Sequence, residues 1–165
     1  MQNTKIEKME VLRDKWTVAE LRVSFRPEER TGTFITNSFD AWRVFRRMWD
    51  KDLVTIQEQF CALYLNASSE VIGFRLITTG KLSQNTIDTQ LLLSCALVCR
   101  AAGIIIAHNH PGGSLKPSQA DRILTRHIES LCTMFEFKIL DHLILTENDY
   151  ISFVDRGWIS KEINA

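Results

Sequence analysis

The chain has 165 residues and a mass of 19.0 kDa, one domain's worth of polypeptide and long enough to bury a core. Hydrophobic residues make up 45% and charged residues 24%, the balance of a folded globular protein and not of a disordered or fibrous one. Twenty Lys and Arg offset twenty Asp and Glu, and residues 1–50, with ten basic and eight acidic groups, reach only +2; lacking a basic stripe to displace counterions, the chain is not expected to have nucleic acid as its main partner.

The segment Met1–Val11 carries Lys5, Glu7, Lys8 and Glu10 and no apolar run, so no secretory signal is expected there. From Val18 to Phe25, the residues Val18, Glu20, Arg22 and Ser24 alternate with Ala19, Leu21, Val23 and Phe25, a period of two that predicts a strand. Pro27 to Arg30 reads as a loop. Asn37 can cap a helix with Asp40 three residues on, and Phe39, Trp42, Phe45 and Trp49 then recur at helical spacing. Arg43, Arg46 and Arg47 fall mostly on the other side; they suit either an acidic or phosphate-bearing partner or, more simply, water. Residues 1–57 therefore read as an N-terminal extension, a strand plus an amphipathic helix packed on the core, ahead of a domain over 58–165.

Phe60–Leu65 and Val71–Ile77 are short apolar runs joined by Asn66-Ala67-Ser68-Ser69, a predicted hairpin. Gly80–Asn85 is a polar turn region. Thr86 or Asp88 can start a helix running to about Ala102, with Gly103 placed to end it. That helix is apolar nearly all round and is expected to be buried. Its longest apolar stretch, Thr89–Cys99, is eleven residues before Arg100, too short to span a bilayer. Ile104–Ala107 reads as a strand, Ser118 to about Phe135 as a helix, Ile139–Thr146 as a strand and Tyr150–Val154 as a last one. Strands alternating with helices predict an α/β fold with a mixed sheet flanked by helices. Cys61, Cys95, Cys99 and Cys132 sit in apolar runs with no CxxC pair, which points to reduced core residues and a cytoplasmic location.

Chemistry concentrates between Ile105 and Asp121. His108 and His110 follow a predicted buried strand, and in extended backbone residues two apart share a side, so both imidazoles can reach one ion. Pro111, Gly112 and Gly113 turn the chain, Pro117 forces an extended Lys116, and Asp121 lies in the first turn of the next helix. Two neutral imidazoles and one carboxylate form the donor set of a zinc that keeps a fourth position for water. Ser118 and Asp121 also satisfy a capping box. Capping accounts for those two residues but gives the paired histidines no role.

The pattern H-x-H-x7-S-x2-D, filled by His108, His110, Ser118 and Asp121, resembles the signature of the JAB/MPN-type zinc metallohydrolases (the JAMM motif). The fuller run HNHPGG…KPSQAD, followed by Leu140-Asp141-His142-Leu143-Ile144, is similar to the bacterial RadC-type branch, and the resemblance covers roughly residues 58 to 154. It implies the three-layer, cytidine-deaminase-like architecture of that family, a Zn2+ held by His108, His110 and Asp121, and a general base at the start of the first strand. Glu58 occupies that place; Glu70, after the hairpin turn, is the competing choice and is read as a solvent-facing turn residue. Ser118 would donate its hydroxyl to the oxyanion of the tetrahedral intermediate.

The activity implied is hydrolysis of amide bonds in a protein or peptide, a ubiquitin-like conjugate being one candidate. RadC-type proteins often carry an N-terminal helix-hairpin-helix DNA-binding region, and no Gly-rich hairpin between short helices stands in residues 1–57. The alternative function is an accessory, non-catalytic module in DNA repair or mobile-element biology. A contiguous His108-Asn109-His110 is not the separated set of an HNH nuclease, and a zinc deaminase needs HxE and PCxxC, which are missing. Asp141 and His142 could form a pair behind the ligands, but local satisfaction within a strand is the simpler expectation, and His127 is expected to lie on a helix surface.

Overall fold

A computed structural model describes residues 24–25, 32–82 and 86–159. The strand expected over Val18–Phe25 lies outside these, apart from Ser24 and Phe25, which belong to no element. Helix α1 (Ser38–Met48) begins where Asn37 accepts the backbone N–H of Asp40, and Asp40 in turn accepts the N–H and hydroxyl of Thr36. Ala41, Phe45 and Trp49 are buried while Arg43, Arg46 and Arg47 are exposed. The arginine face is thus solvated, with Arg46 lying over the Trp42 ring.

Strands β1 (Gln59–Leu65) and β2 (Val71–Thr79) form the expected hairpin, followed by α2 (Thr89–Cys99), β3 (Gly103–Asn109), α3 (Gln119–Met134), β4 (Lys138–Leu145) and β5 (Tyr150–Ser152). They make one mixed sheet in the order β2-β1-β3-β4-β5, with only β3 and β4 parallel. The parallel step is the one that needs a helical crossover, and α3 supplies it. Side chains alternate across the two central strands. Phe60, Ala62, Tyr64, Ile104 and Ile106 pack with Leu92, Leu93 and Ala96 of α2 and with Leu124, Ile128 and Cys132 of α3. Cys61, Leu63, Leu65, Ile105 and Ala107 pack with Ala41, Phe45 and Trp49 on the other face. Three layers result, α1 on one side and α2 with α3 on the other. Because β1 and β3 are covered on both faces, they read as continuous apolar runs.

Three expectations are corrected here. Gly103 does not end α2: Arg100, at φ 54°, does so by a Schellman turn in which Ala101 N–H bonds Ala96 O at 2.9 Å and Arg100 N–H bonds Leu97 O at 3.2 Å. Gly103 opens β3, and a Cβ there would lie 2.6 Å from Leu140 Cδ1, so its smallness serves strand approach. Helix α2 is buried on one face only, since Leu97 is 50% exposed. Glu70 is not solvent-facing: it is buried, accepting Asn66 Nδ2 at 3.1 Å and Gly32 N–H at 3.2 Å, and so ties the segment before α1 to the hairpin turn. The four cysteines are free, Cys61 and Cys132 buried and Cys95 and Cys99 half-buried; burial pushes the Cys61 and Cys132 thiols up to about 12.

Candidate metal centre

The site forms at the C-terminal end of the parallel pair, where chain leaving β3 must cross over to α3 before returning as β4. His108 is the penultimate residue of β3, paired with Phe60 of β1 and Ile144 of β4, and is 1% exposed. His110 lies just past the strand end but stays tied to β4 through its N–H to Leu145 O at 2.8 Å. Gly113, at φ 76°, then closes a turn onto His110 O at 3.0 Å, a backbone region that favours glycine. His110 Nδ1 lies 2.6 Å from Ser114 O. A carbonyl only accepts, so Nδ1 carries the proton and Nε2 of the neutral ring is free for a ligand.

Ser118 caps α3 and forms a full capping box with Asp121. Its N–H and hydroxyl both donate to Asp121 Oδ2, at 2.7 and 2.8 Å, and its Oγ accepts Asp121 N–H at 3.1 Å. The cap aims the carboxylate at the histidines. His108 Nε2 and His110 Nε2 are 3.0 Å apart, His108 Nε2 is 3.4 Å from Asp121 Oδ1, and His110 Nε2 is 3.6 Å from Asp121 Oδ2. The two aspartate distances run to different oxygens; with one donor atom from each residue, the three lie within 4.8 Å of one another, near enough for a small carboxylate rotation to reach the donor spacing of about 3.3 Å of tetrahedral zinc. Among the described residues this is the single group of His, Cys, Asp and Glu side chains that converges in this way.

Electrostatics favour the same donors. Burial pushes Asp121 up, but hydrogen bonding with His108 and His110 outweighs it and holds the carboxyl well below its usual range. Burial lowers His108 below an ordinary imidazole, the neutral form a metal requires. Hydrogen bonding to Asp121 raises His110 despite its partial burial, so a proton competes there for the place of a cation.

Glu58 immediately precedes β1. It is half-buried, with Oε2 accepting Leu82 N–H at 2.9 Å and its carbonyl accepting Gly80 N–H at 2.8 Å. Its charge acts on both imidazoles, raising His108 and His110 as one of the smaller contributions to each. Asn109, between the two histidines, points to the other face. Its Oδ1 accepts Gln59 N–H at 2.7 Å, and its Nδ2 donates to Val54 O and Gln57 O at 2.7 and 2.8 Å. The residues on either side of Glu58 are therefore tied to the ligand-bearing strand. Sequence reasoning passed over Asn109 as a spacer; its signal was a polar residue of buried parity in a strand end.

The Asp141–His142 expectation divides. Asp141 is satisfied close by, accepting Ser152 Oγ at 2.6 Å, Val154 N–H at 3.0 Å and His142 N–H at 2.7 Å. His142 is not: its Nε2 lies 2.8 Å from His108 Nδ1, and its Nδ1 lies 2.7 Å from Thr125 Oγ1. Thr125 donates to Asp121 O at 2.6 Å. His127 is half-buried on α3 and outside the cluster.

Residues 35–158 match the family model described as the RadC-like JAB domain. A UPF0758 protein of Flavobacterium johnsoniae is 39% identical over 123 residues, covering 74% of this chain and 52% of that relative. The chain thus spans about half the length of this curated relative. No helix among the described residues is long and apolar enough to cross a membrane. With the family match extending from just before α1 to beyond β5, the chain belongs to the RadC-like JAB domain family.

Proposed function

We propose that the chain is a zinc-dependent hydrolase of amide bonds, peptide or isopeptide. The observation that carries this reading is the convergence of His108, His110 and Asp121, one donor atom of each lying within 4.8 Å of the others, with the Glu58 charge acting on both imidazoles. Zinc in this donor set would polarise a substrate carbonyl and bring the pKa of its water to about 7.

The chain's own groups supply the remainder. Glu58, steadied by Leu82 N–H through one oxygen, takes a proton from the attacking water and returns it to the leaving amine. Ser118 turns its hydroxyl from Asp121 Oδ2 to the oxyanion; its backbone N–H keeps Asp121 Oδ2 hydrogen-bonded meanwhile. The substrate is a protein or peptide, a ubiquitin-like conjugate included, and the site acts in the cytoplasm, where its free cysteines stay reduced.

Metal analysis joined to a screen of peptide and ubiquitin-like conjugates tests the reading. Glu58→Gln should keep about one zinc per chain and lose at least 100-fold in turnover, and His108→Ala should lose the metal. Unchanged hydrolysis by Glu58→Gln would remove Glu58 from the mechanism, and full zinc in His108→Ala would remove His108 as a ligand. The accessory DNA-binding alternative predicts a salt-dependent mobility shift with duplex DNA; a formal charge of zero argues against it.

A further inference from the structure

A run of short buried polar contacts leads away from the ligand triangle and back to it. Asp121 O, a backbone carbonyl, can only accept, so the 2.6 Å contact from Thr125 Oγ1 uses the one hydroxyl proton that Thr125 has. Thr125 Oγ1 must then accept from His142, which places a proton on His142 Nδ1 across 2.7 Å. A neutral His142 protonated at Nδ1 has a bare Nε2, and that atom must accept from His108 Nδ1 at 2.8 Å. His108 consequently presents a lone pair at Nε2, the atom that faces His110 and Asp121. The reverse polarity would set two lone pairs together at 2.6 Å between Thr125 and a carbonyl; the order above instead leaves the Nε2 lone pairs of His108 and His110 facing each other at 3.0 Å, a contact that a cation between them would relieve.

The local surroundings make this order hard to escape. His108 and His142 are 1% and 0% exposed, so water offers neither ring another partner. His142 is stacked on Phe153 at 4.6 Å and meets Phe60 edge-on at 6.1 Å, so aromatic rings cover both its face and its edge. Thr125 is one helical turn beyond Asp121, on the same buried stripe as Leu124 and Ile128. The line therefore starts on the backbone of one ligand and ends on the ring of another.

We propose that Thr125 and His142 are positioning residues that lock His108 in the Nδ1–H tautomer, so that its Nε2 lone pair is aimed at the metal before any metal arrives. The role rests on the zinc reading for its purpose but not for its existence, since the tautomer is a property of the metal-free protein. Ligating imidazoles are ordinarily oriented through the other ring nitrogen, and loss of such support costs about 10–100-fold in affinity. Here the support is a second imidazole whose own polarity is fixed by a threonine.

The test uses long-range proton–nitrogen spectra of histidine in the chelated 165-residue chain at mildly alkaline pH, assigned with His110→Gln and His127→Gln. It is paired with zinc titration against a competing chelator. The wild type should show His108 and His142 both protonated at Nδ1. Thr125→Val should release His142 to the Nε2–H form, shift His108 with it and weaken zinc about 10–100-fold, whereas Thr125→Ser should restore both tautomers and affinity.

Nε2–H tautomers in the wild type, or a folded Thr125→Val with unchanged spectra and affinity, overturn the lock. Should Thr125→Val fail to fold, the wild-type and Thr125→Ser spectra still decide. A wild type with both rings locked but no affinity for zinc would uphold the lock and sink the hydrolase reading.

Discussion

Asn109 does more than separate two ligands. Its amide spends both donor hydrogens on Val54 O and Gln57 O and its oxygen on Gln59 N–H, all buried or half-buried. Asn109→Asp would turn an acceptor toward two carbonyls, costing roughly 2–4 kcal/mol of stability. It should leave zinc content intact while lowering kcat more than tenfold, because Glu58 would lose the anchors flanking it. Denaturant unfolding, metal analysis and turnover on one preparation check this, and wild-type values in all three would refute it. At this scale the candidate ligand set was legible because its three members are close in sequence and each has a local reason to converge: strand parity for His108 and His110, a capping box for Asp121. Asn109, Thr125 and His142 were not legible in the same way. Their partners come from strand pairing and helix docking, and the expected local satisfaction of the Asp141–His142 pair held for Asp141 alone.

Helix starts were readable in the elements, as was the end of α3 at about Phe135, whereas the end of α2 was not. Asn37, Asp88 and Ser118 each accept the N–H three residues on, the bond their short polar side chains predict. Both α2 and α3 end on left-handed residues other than glycine, Arg100 at φ 54° and Glu136 at φ 60°. In α3, Phe137 N–H bonds Cys132 O at 2.9 Å and Glu136 N–H bonds Thr133 O at 3.2 Å, the same Schellman pattern as α2. Packing after each helix, not local preference, sets these stops, so the search for a glycine went three residues too far, to Gly103. Arg100→Gly and Glu136→Gly should each stabilise the chain by about 0.5–1 kcal/mol, near-additively, by removing the Cβ strain of the left-handed region. Urea unfolding midpoints measure it, and a loss of stability in both variants would count against strain at these ends.

For the whole molecule, the alternation of strands with helices predicted a mixed sheet flanked by helices and the family resemblance implied three layers, while strand order was not legible, because pairing between distant strands leaves no local mark. That order places a buried imidazole network between sheet and helix, with a consequence for acid stability. Burial lowers His108 and takes His142 well below an ordinary imidazole, so below pH ~6.5 the unfolded chain takes up two protons at these positions that the folded chain refuses. Buried Asp141, raised to about 6, offsets one of these two below that pH, because the folded chain protonates it before the unfolded chain does. His110, raised by hydrogen bonding to Asp121, acts in the window above ~6.5: its contribution is full below its unfolded value and is lost as pH rises through its folded one. The chelated protein should therefore be most stable near neutrality and lose stability as pH falls from ~6.5. Zinc, which needs His110 neutral, should move the optimum upward. Urea titrations from about pH 5 to about pH 8, with chelator and with zinc, measure both effects; stability that rose steadily on acidification would contradict the burial of two neutral rings.

The four thiols lead to a practical end. Two are sealed in the core with their protons held to about 12, two are half-covered on α2, and none stands among the ligands. Thiol-alkylating agents would find no cysteine to cap beside His108, His110 and Asp121, so on the zinc reading the chemistry suited to silencing this centre is chelation by a hydroxamate or similar oxygen donor.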